Sequence, residues 1–144
     1  MSKILAMVTF LWASVCMAGV GGEWTGWGEW TYEGSGTHCD SMKLNFVETN
    51  NKLTRTGGYF DCQVVGLDVS AGEWIRQGNN LLVDGEIVGT MTDKSVHLTE
   101  KYDENVKVVS DITIDGGHFD YKEVWLDKDD AEIYVITGRL FKKQ

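Results

Sequence analysis

Cys39 stands eleven residues before Asn50, and Cys62 stands eleven residues after Asn51. A hairpin that turns at Asn50-Asn51 therefore sets the two cysteines opposite each other. Asparagine tolerates the backbone angles of tight hairpin turns, and the runs on either side read as strands. A strict two-residue turn would place the pair on a hydrogen-bonded rung. A four-residue loop, Thr49 to Lys52, would place it on the narrower non-hydrogen-bonded rung, and both lie within disulfide reach. The spacing thus commits the chain to antiparallel β structure around a covalent staple, provided the compartment is oxidising and no third cysteine competes.

The third cysteine, Cys16, falls in a segment that reads as a signal peptide. Lys3 gives a short positive start, Ile4 to Met17 are apolar apart from Thr9 and Ser14, and Cys16-Met17-Ala18 carries small residues at the positions a signal peptidase reads. The expected division is residues 1–18 as signal peptide and 19–144 as a single domain. The apolar run is shorter than the roughly 20 residues that span a bilayer, so no transmembrane helix is expected in the mature protein. Val15 before Cys16 is not the small residue a lipoprotein signal uses. Cleavage leaves 126 of the 144 residues, and because Lys3 is the only charge removed, the net charge moves from −9 to −10. An acidic chain with its few basic residues dispersed repels a phosphate backbone, so no nucleic-acid partner is expected. The expected location is the periplasm or the cell exterior. There Cys39 and Cys62 form a structural disulfide, since no Cys-x-x-Cys and no basic neighbour activates either sulfur.

After Ala18, apolar residues alternate or run in short blocks between turn signals. Strands are expected near Gly22–Glu33, Thr37–Glu48, Leu53–Val65, Ile87–Thr92, Ser95–Tyr102, Val106–Ile114, His118–Leu126 and Glu132–Lys142, with a further short strand at Glu73–Gln77 or Asn80–Val83. The fold class is all-β: an antiparallel up-and-down β-barrel of about 8–10 strands, favoured over a sandwich because closure removes edges that a chain without proline cannot blunt. Strand parity predicts inward faces. Met42, Leu44 and Phe46 form one, which leaves Cys39 outward; Val106, Val108, Ser110, Ile112 and Ile114 form another. Ala131, Ile133, Val135, Thr137 and Phe141 form a third, with Arg139 among them.

The stretch Gly22-Glu-Trp-Thr-Gly-Trp-Gly-Glu-Trp30 is not an aromatic stripe. As a strand it turns Trp24, Gly26, Gly28 and Trp30 to one side and Trp27 to the other; as a helix it would lose about 1 kcal/mol at each glycine. Gly22-Glu23-Trp24, the small-aromatic pattern through Tyr32, and Gly138-Arg139 on the last strand resemble the calycin arrangement of lipocalins, avidins, fatty-acid-binding proteins and nitrobindin-type barrels. The resemblance implies that Trp24 and Arg139 are structural partners at the closed end, and that the lipocalin-like barrel holds a small, usually apolar ligand. The Thr-Asp-Tyr signature of lipocalins is not visible. A haem site of nitrobindin type would want a histidine near the chain end, and the last one here is His118, so no cofactor is expected.

Trp30, Met42, Phe46, Tyr59, Met91 and Trp125 are the candidate lining of an interior ligand site. The expected function is that of an exported, non-catalytic barrel binding a small hydrophobic or amphipathic ligand. The alternative is an envelope interaction or enzyme-inhibitor protein with a filled barrel, working through exposed Trp27 and Trp74, with a protein as its partner. No Gly-x-Ser-x-Gly, His-Glu-x-x-His or phosphate loop points to an enzyme. The acidic run Asp127-Lys128-Asp129-Asp130 lacks the order of a calcium loop and reads as a solvated turn, so no metal site is expected.

Overall fold

The computed structural model describes residues 19–144; the predicted signal peptide, 1–18, lies outside the described residues. Eleven strands follow one another: β1 (Gly22–Tyr32), β2 (Ser35–Glu48), β3 (Lys52–Cys62), β4 (Val65–Val69), β5 (Gly72–Gln77), β6 (Asn80–Val83), β7 (Glu86–Met91), β8 (Ser95–Lys101), β9 (Lys107–Asp115), β10 (His118–Leu126) and β11 (Glu132–Lys142). All pairings are antiparallel and, apart from β4 and β5, link consecutive strands; β11 returns to β1, so the sheet closes on itself as a barrel. β4 and β5 are two stretches of a single wall strand. Both pair with β3 in one continuous register, β4 with Gly58–Cys62 and β5 with Lys52–Arg55, and the break falls at Ser70-Ala71. The ring therefore has ten staves. The region between β3 and β7, where the sequence reading anticipates a single short strand, holds β4, β5 and β6.

The Cys39–Cys62 disulfide is present, with Cα atoms 3.8 Å apart. Its path differs from a plain hairpin. β3 carries an extra residue at Thr56-Gly57, opposite Asn45-Phe46, and β2 carries an extra residue at Asp40, between Cys39 and Ser41. One bulge advances the register and the other restores it, so the cysteines still meet. Each bulge also reverses which face the side chains occupy. Cys39 is therefore buried in the interior, not outward as strict alternation implies, and Cys62 is buried with it. The same shift turns Phe60 inward and Tyr59 outward.

The inner face of β1 explains its glycines. A Cβ at Gly26 would lie 1.9 Å from the Arg139 carbonyl oxygen, and one at Gly28 would lie 1.9 Å from that of Thr137 and 2.6 Å from Met42 Sδ. Only glycine lets β11 and Met42 approach so closely. Trp24, Leu44, Leu53, Phe119 and Leu140 pack the interior toward one end of the barrel, closed by Val20. Trp24 donates its indole N–H to the Val20 carbonyl at 2.7 Å and rests on Phe119, ring centroids 4.5 Å apart.

Three expected assignments are corrected. The inner face of β11 is Tyr134, Ile136, Gly138 and Leu140, opposite to the expected Ile133–Val135–Phe141 face. Arg139 consequently points to solvent, where its guanidinium donates to Asp120 at 2.8 and 3.2 Å. The cation over the Trp24 ring is Lys142, Nζ at 5.8 Å from the centroid, directly across from Trp24 in the β1–β11 register. Trp74, expected to be exposed, is a buried β5 residue with the Arg55 guanidinium 5.2 Å above its ring.

Candidate functional site

The opposite end of the barrel is not filled. A cavity of about 570 Å³ opens there between β3–β4 and the adjoining ends of β8 to β11. Phe60, Leu67, Val108 and Ile136 give it an apolar floor. Trp125 and Tyr134, paired across β10 and β11, stack at 5.0 Å to form one wall, and Tyr102 closes on Trp125 at 4.9 Å. Trp30 lies edge-on behind Tyr134 at 5.9 Å. The indole N–H groups of Trp30 and Trp125 are buried without a hydrogen-bond partner among the described residues. Such donors ordinarily find a partner when buried.

Of the six residues expected to line an interior site, the structure brings Trp125 to the cavity wall and Trp30 beside it. Met42, Phe46 and Met91 fill the packed interior away from the cavity. Tyr59 is 45% exposed on the outer face, placed there by the Thr56-Gly57 bulge. Trp27, also outside, is 52% exposed and packs on Phe141.

Sequence reasoning missed the polar side of this cavity. Arg55 reaches in from β3 and donates through Nε to the Ser70 carbonyl at 2.7 Å and through its two terminal nitrogens to Glu100 on β8, at 2.9 and 3.1 Å. Burial works to lower the Arg55 pKa, but the hydrogen bond and charge of Glu100 outweigh it and the net shift is upward. A bidentate pair of this kind holds both charges in place.

Glu123 sits two residues before Trp125 on the same face of β10 and is 8% exposed. Burial pushes its pKa up to about 6. The nearby Trp125 N–H, Arg55 and Tyr121 hold it down less strongly, and Glu100 adds to the rise. Trp125 Nε1 is close enough to Glu123 to act on its charge, but the alignment does not amount to a hydrogen bond, so the N–H stays unpartnered. Tyr121 and Tyr134 also titrate upward, chiefly through burial, and remain neutral phenols.

The raised Glu123 pKa has a sign that can be measured. The folded state binds this proton more tightly than the unfolded chain, whose value is the ordinary 4.5, so the stabilisation is complete below about pH 4.5 and is lost as pH rises through about 6. Glu123→Gln, neutral at every pH, is expected to raise stability by about 2 kcal/mol near pH 8 and to leave it unchanged near pH 4. Urea unfolding at the two pH values measures this; an equal effect at both would remove the titration from the account.

The three histidines lie outside the cavity: His97 bonds Asp111 at 2.6 Å, His118 packs on Phe141, and His38 faces Asp40. In the acidic run, Asp127 accepts the backbone N–H groups of Asp129 and Ala131, at 2.8 and 3.0 Å, which makes it a turn cap. Among the described residues no cluster of three or more His, Cys, Asp or Glu side chains is arranged to hold a metal ion.

No protein-family model and no curated protein sequence matches the chain. It is similar in structure to Rv2717c from M. tuberculosis, known from a crystal structure, with a TM-score of 0.59 and 14% identity over 86% of this chain and 92% of that one. The likeness is one of fold. It extends over nearly the whole barrel and supports an antiparallel, barrel-like architecture.

Proposed function

We propose that this protein is an exported, non-catalytic barrel of calycin type that holds a small hydrophobic or amphipathic molecule in the cavity at its open end. The observation that carries the proposal is the contrast between the two ends. One is packed by Trp24, Phe119 and Leu140, whereas the other keeps about 570 Å³ between an apolar floor and the stacked Trp125–Tyr134 wall. Small-molecule sites are cavities of roughly this size, mostly apolar, with a few polar groups that fix orientation. Burial of apolar ligand area supplies the affinity, at about 25 cal/mol per Å² before entropic costs. The disulfide supports an extracytoplasmic location, where such bonds persist. No helix of the described residues is long and apolar enough to cross a membrane.

Native mass spectrometry of gently purified protein, followed by denaturation of the same sample, tests the reading. The expected result is excess mass that leaves on unfolding. Trp125→Ala is expected to weaken binding of that molecule by about tenfold or more through loss of the stacked wall. Tyr59→Ala, on the outer face, is expected to bind as wild type. Full affinity in Trp125→Ala would place the ligand elsewhere.

A further inference from the structure

We infer that the molecule held in this cavity is a cation: an organic ammonium group on a flat apolar body, seated with its charge between Glu123 and the rings of Trp125 and Tyr134. The inference rests on the interior-binding reading above and names the ligand class.

The charges of the interior decide it. Arg55 is committed, with Nε on the Ser70 carbonyl and both terminal nitrogens on Glu100, so it offers no free cation to an incoming anion. Glu123 is the opposite case. It is 8% exposed and lines the cavity; the donors that act on it, the Trp125 indole and the Tyr121 phenol, are neutral, and the neighbouring cation, Arg55, is held by Glu100. An ionised carboxylate in such a place lacks solvation that a partner charge can restore. Lys101 and Asp68 stand exposed at the rim, where they oppose each other and are screened by salt.

The aromatic wall points the same way. The faces of Trp and Tyr rings attract cations, and the attraction grows when the pair is shielded from water. Trp125, Tyr134 and Tyr102 present such rings beside the only unpaired buried carboxylate of the cavity lining among the described residues. An anionic amphiphile would meet Glu123 with no cation free to offset it. A neutral one would leave the carboxylate as it is. An ammonium satisfies both the charge and the rings, and the stability that Glu123 forfeits at neutral pH becomes a source of discrimination.

The test compares 1-pyrenemethylammonium with 1-pyrenemethanol, which share a flat body and differ in charge, by fluorescence titration near pH 8 in about 0.15 M salt. The ammonium is expected to bind at least about tenfold tighter to the wild type, and the gap is expected to close in Glu123→Gln. Circular dichroism melts of that variant establish that it is folded, and the wild-type comparison stands without it. Alcohol binding as tight as the ammonium would overturn the cation inference and leave interior binding intact. A preference that persists undiminished in folded Glu123→Gln would assign it to the acidic surface and overturn the inference too. Binding of neither probe would overturn the interior-binding reading itself.

Discussion

Trp24→Ala is expected to lower the unfolding free energy by about 3–5 kcal/mol, while Trp27→Ala changes it by less than about 1 kcal/mol. The two residues sit three apart in one strand and differ in every contact that matters. Trp24 is 1% exposed, lies against Phe119, donates to the Val20 carbonyl and is covered by Lys142. Its removal leaves a cavity at the packed end, where Gly26 and Gly28 have no side chains with which to fill it, and frees the carbonyl that fixes Val20 as the end cap. Cavities bounded by close-packed walls collapse poorly, which places this substitution in the upper part of the range for large-to-small core changes. Trp27 spreads on the outer surface against Phe141 and loses only that partial contact. Urea unfolding of both variants makes the comparison; equal midpoints would reverse the assignment of inner and outer faces.

Reduction of Cys39–Cys62 is expected to destabilise the protein by about 3 kcal/mol. The bond closes a loop with a sequence separation of 23, and its loss returns that loop's conformational freedom to the unfolded chain. Both sulfurs are buried, and a buried thiol behaves as a small apolar group, so the folded barrel itself loses little. Burial also makes the bond slow to reduce while the barrel stays closed, because a thiolate must reach the sulfur it attacks. Paired urea curves with and without reductant, with free thiols counted, measure the effect. An unchanged midpoint with both thiols free would show that the hairpin needs no staple.

The barrel was legible where the alternation of side chains was unambiguous. Val108, Ser110, Ile112 and Ile114 on β9 and Met42, Leu44 and Phe46 on β2 face inward as the pattern requires. β11 was not legible, because Ile133, Val135 and Phe141 make its outer face as apolar as its inner one, and hydrophobicity alone cannot choose between them. β7 matches the strand expected at Ile87–Thr92, and β6 the alternative at Asn80–Val83; the turn that joins them, Asp84-Gly85, takes positive φ at both residues, 51° and 81°, and is the signal that favours β6 as a strand. β4 was hidden by Gly66 and Asp68, which interrupt Val65, Leu67 and Val69 and make the run look like loop.

The site was legible in part. Of the six residues expected to line an interior site, Trp125 lines the cavity and Trp30 packs behind its wall. Glu123 could have been found, since Phe119, Tyr121, Glu123 and Trp125 share a parity and a carboxylate on an aromatic face has to be accounted for. The Arg55–Glu100 pair could not, because it joins strands 45 residues apart whose registers depend on bulges that alternation does not reveal.

Those bulges also limit how the gene can change in length here. Between the Asn50-Asn51 turn and the cystine, β2 and β3 each hold one surplus residue. Losing Asp40, or Thr56, or both would remove a bulge and leave Cys39 opposite Cys62, with both sulfurs and Phe60 still inside. Losing one regularly paired residue instead would break the ladder unless the neighbouring bulge were absorbed to restore it. The hairpin can therefore shorten by one codon at either bulge, and elsewhere only by a change that keeps both phase and facing.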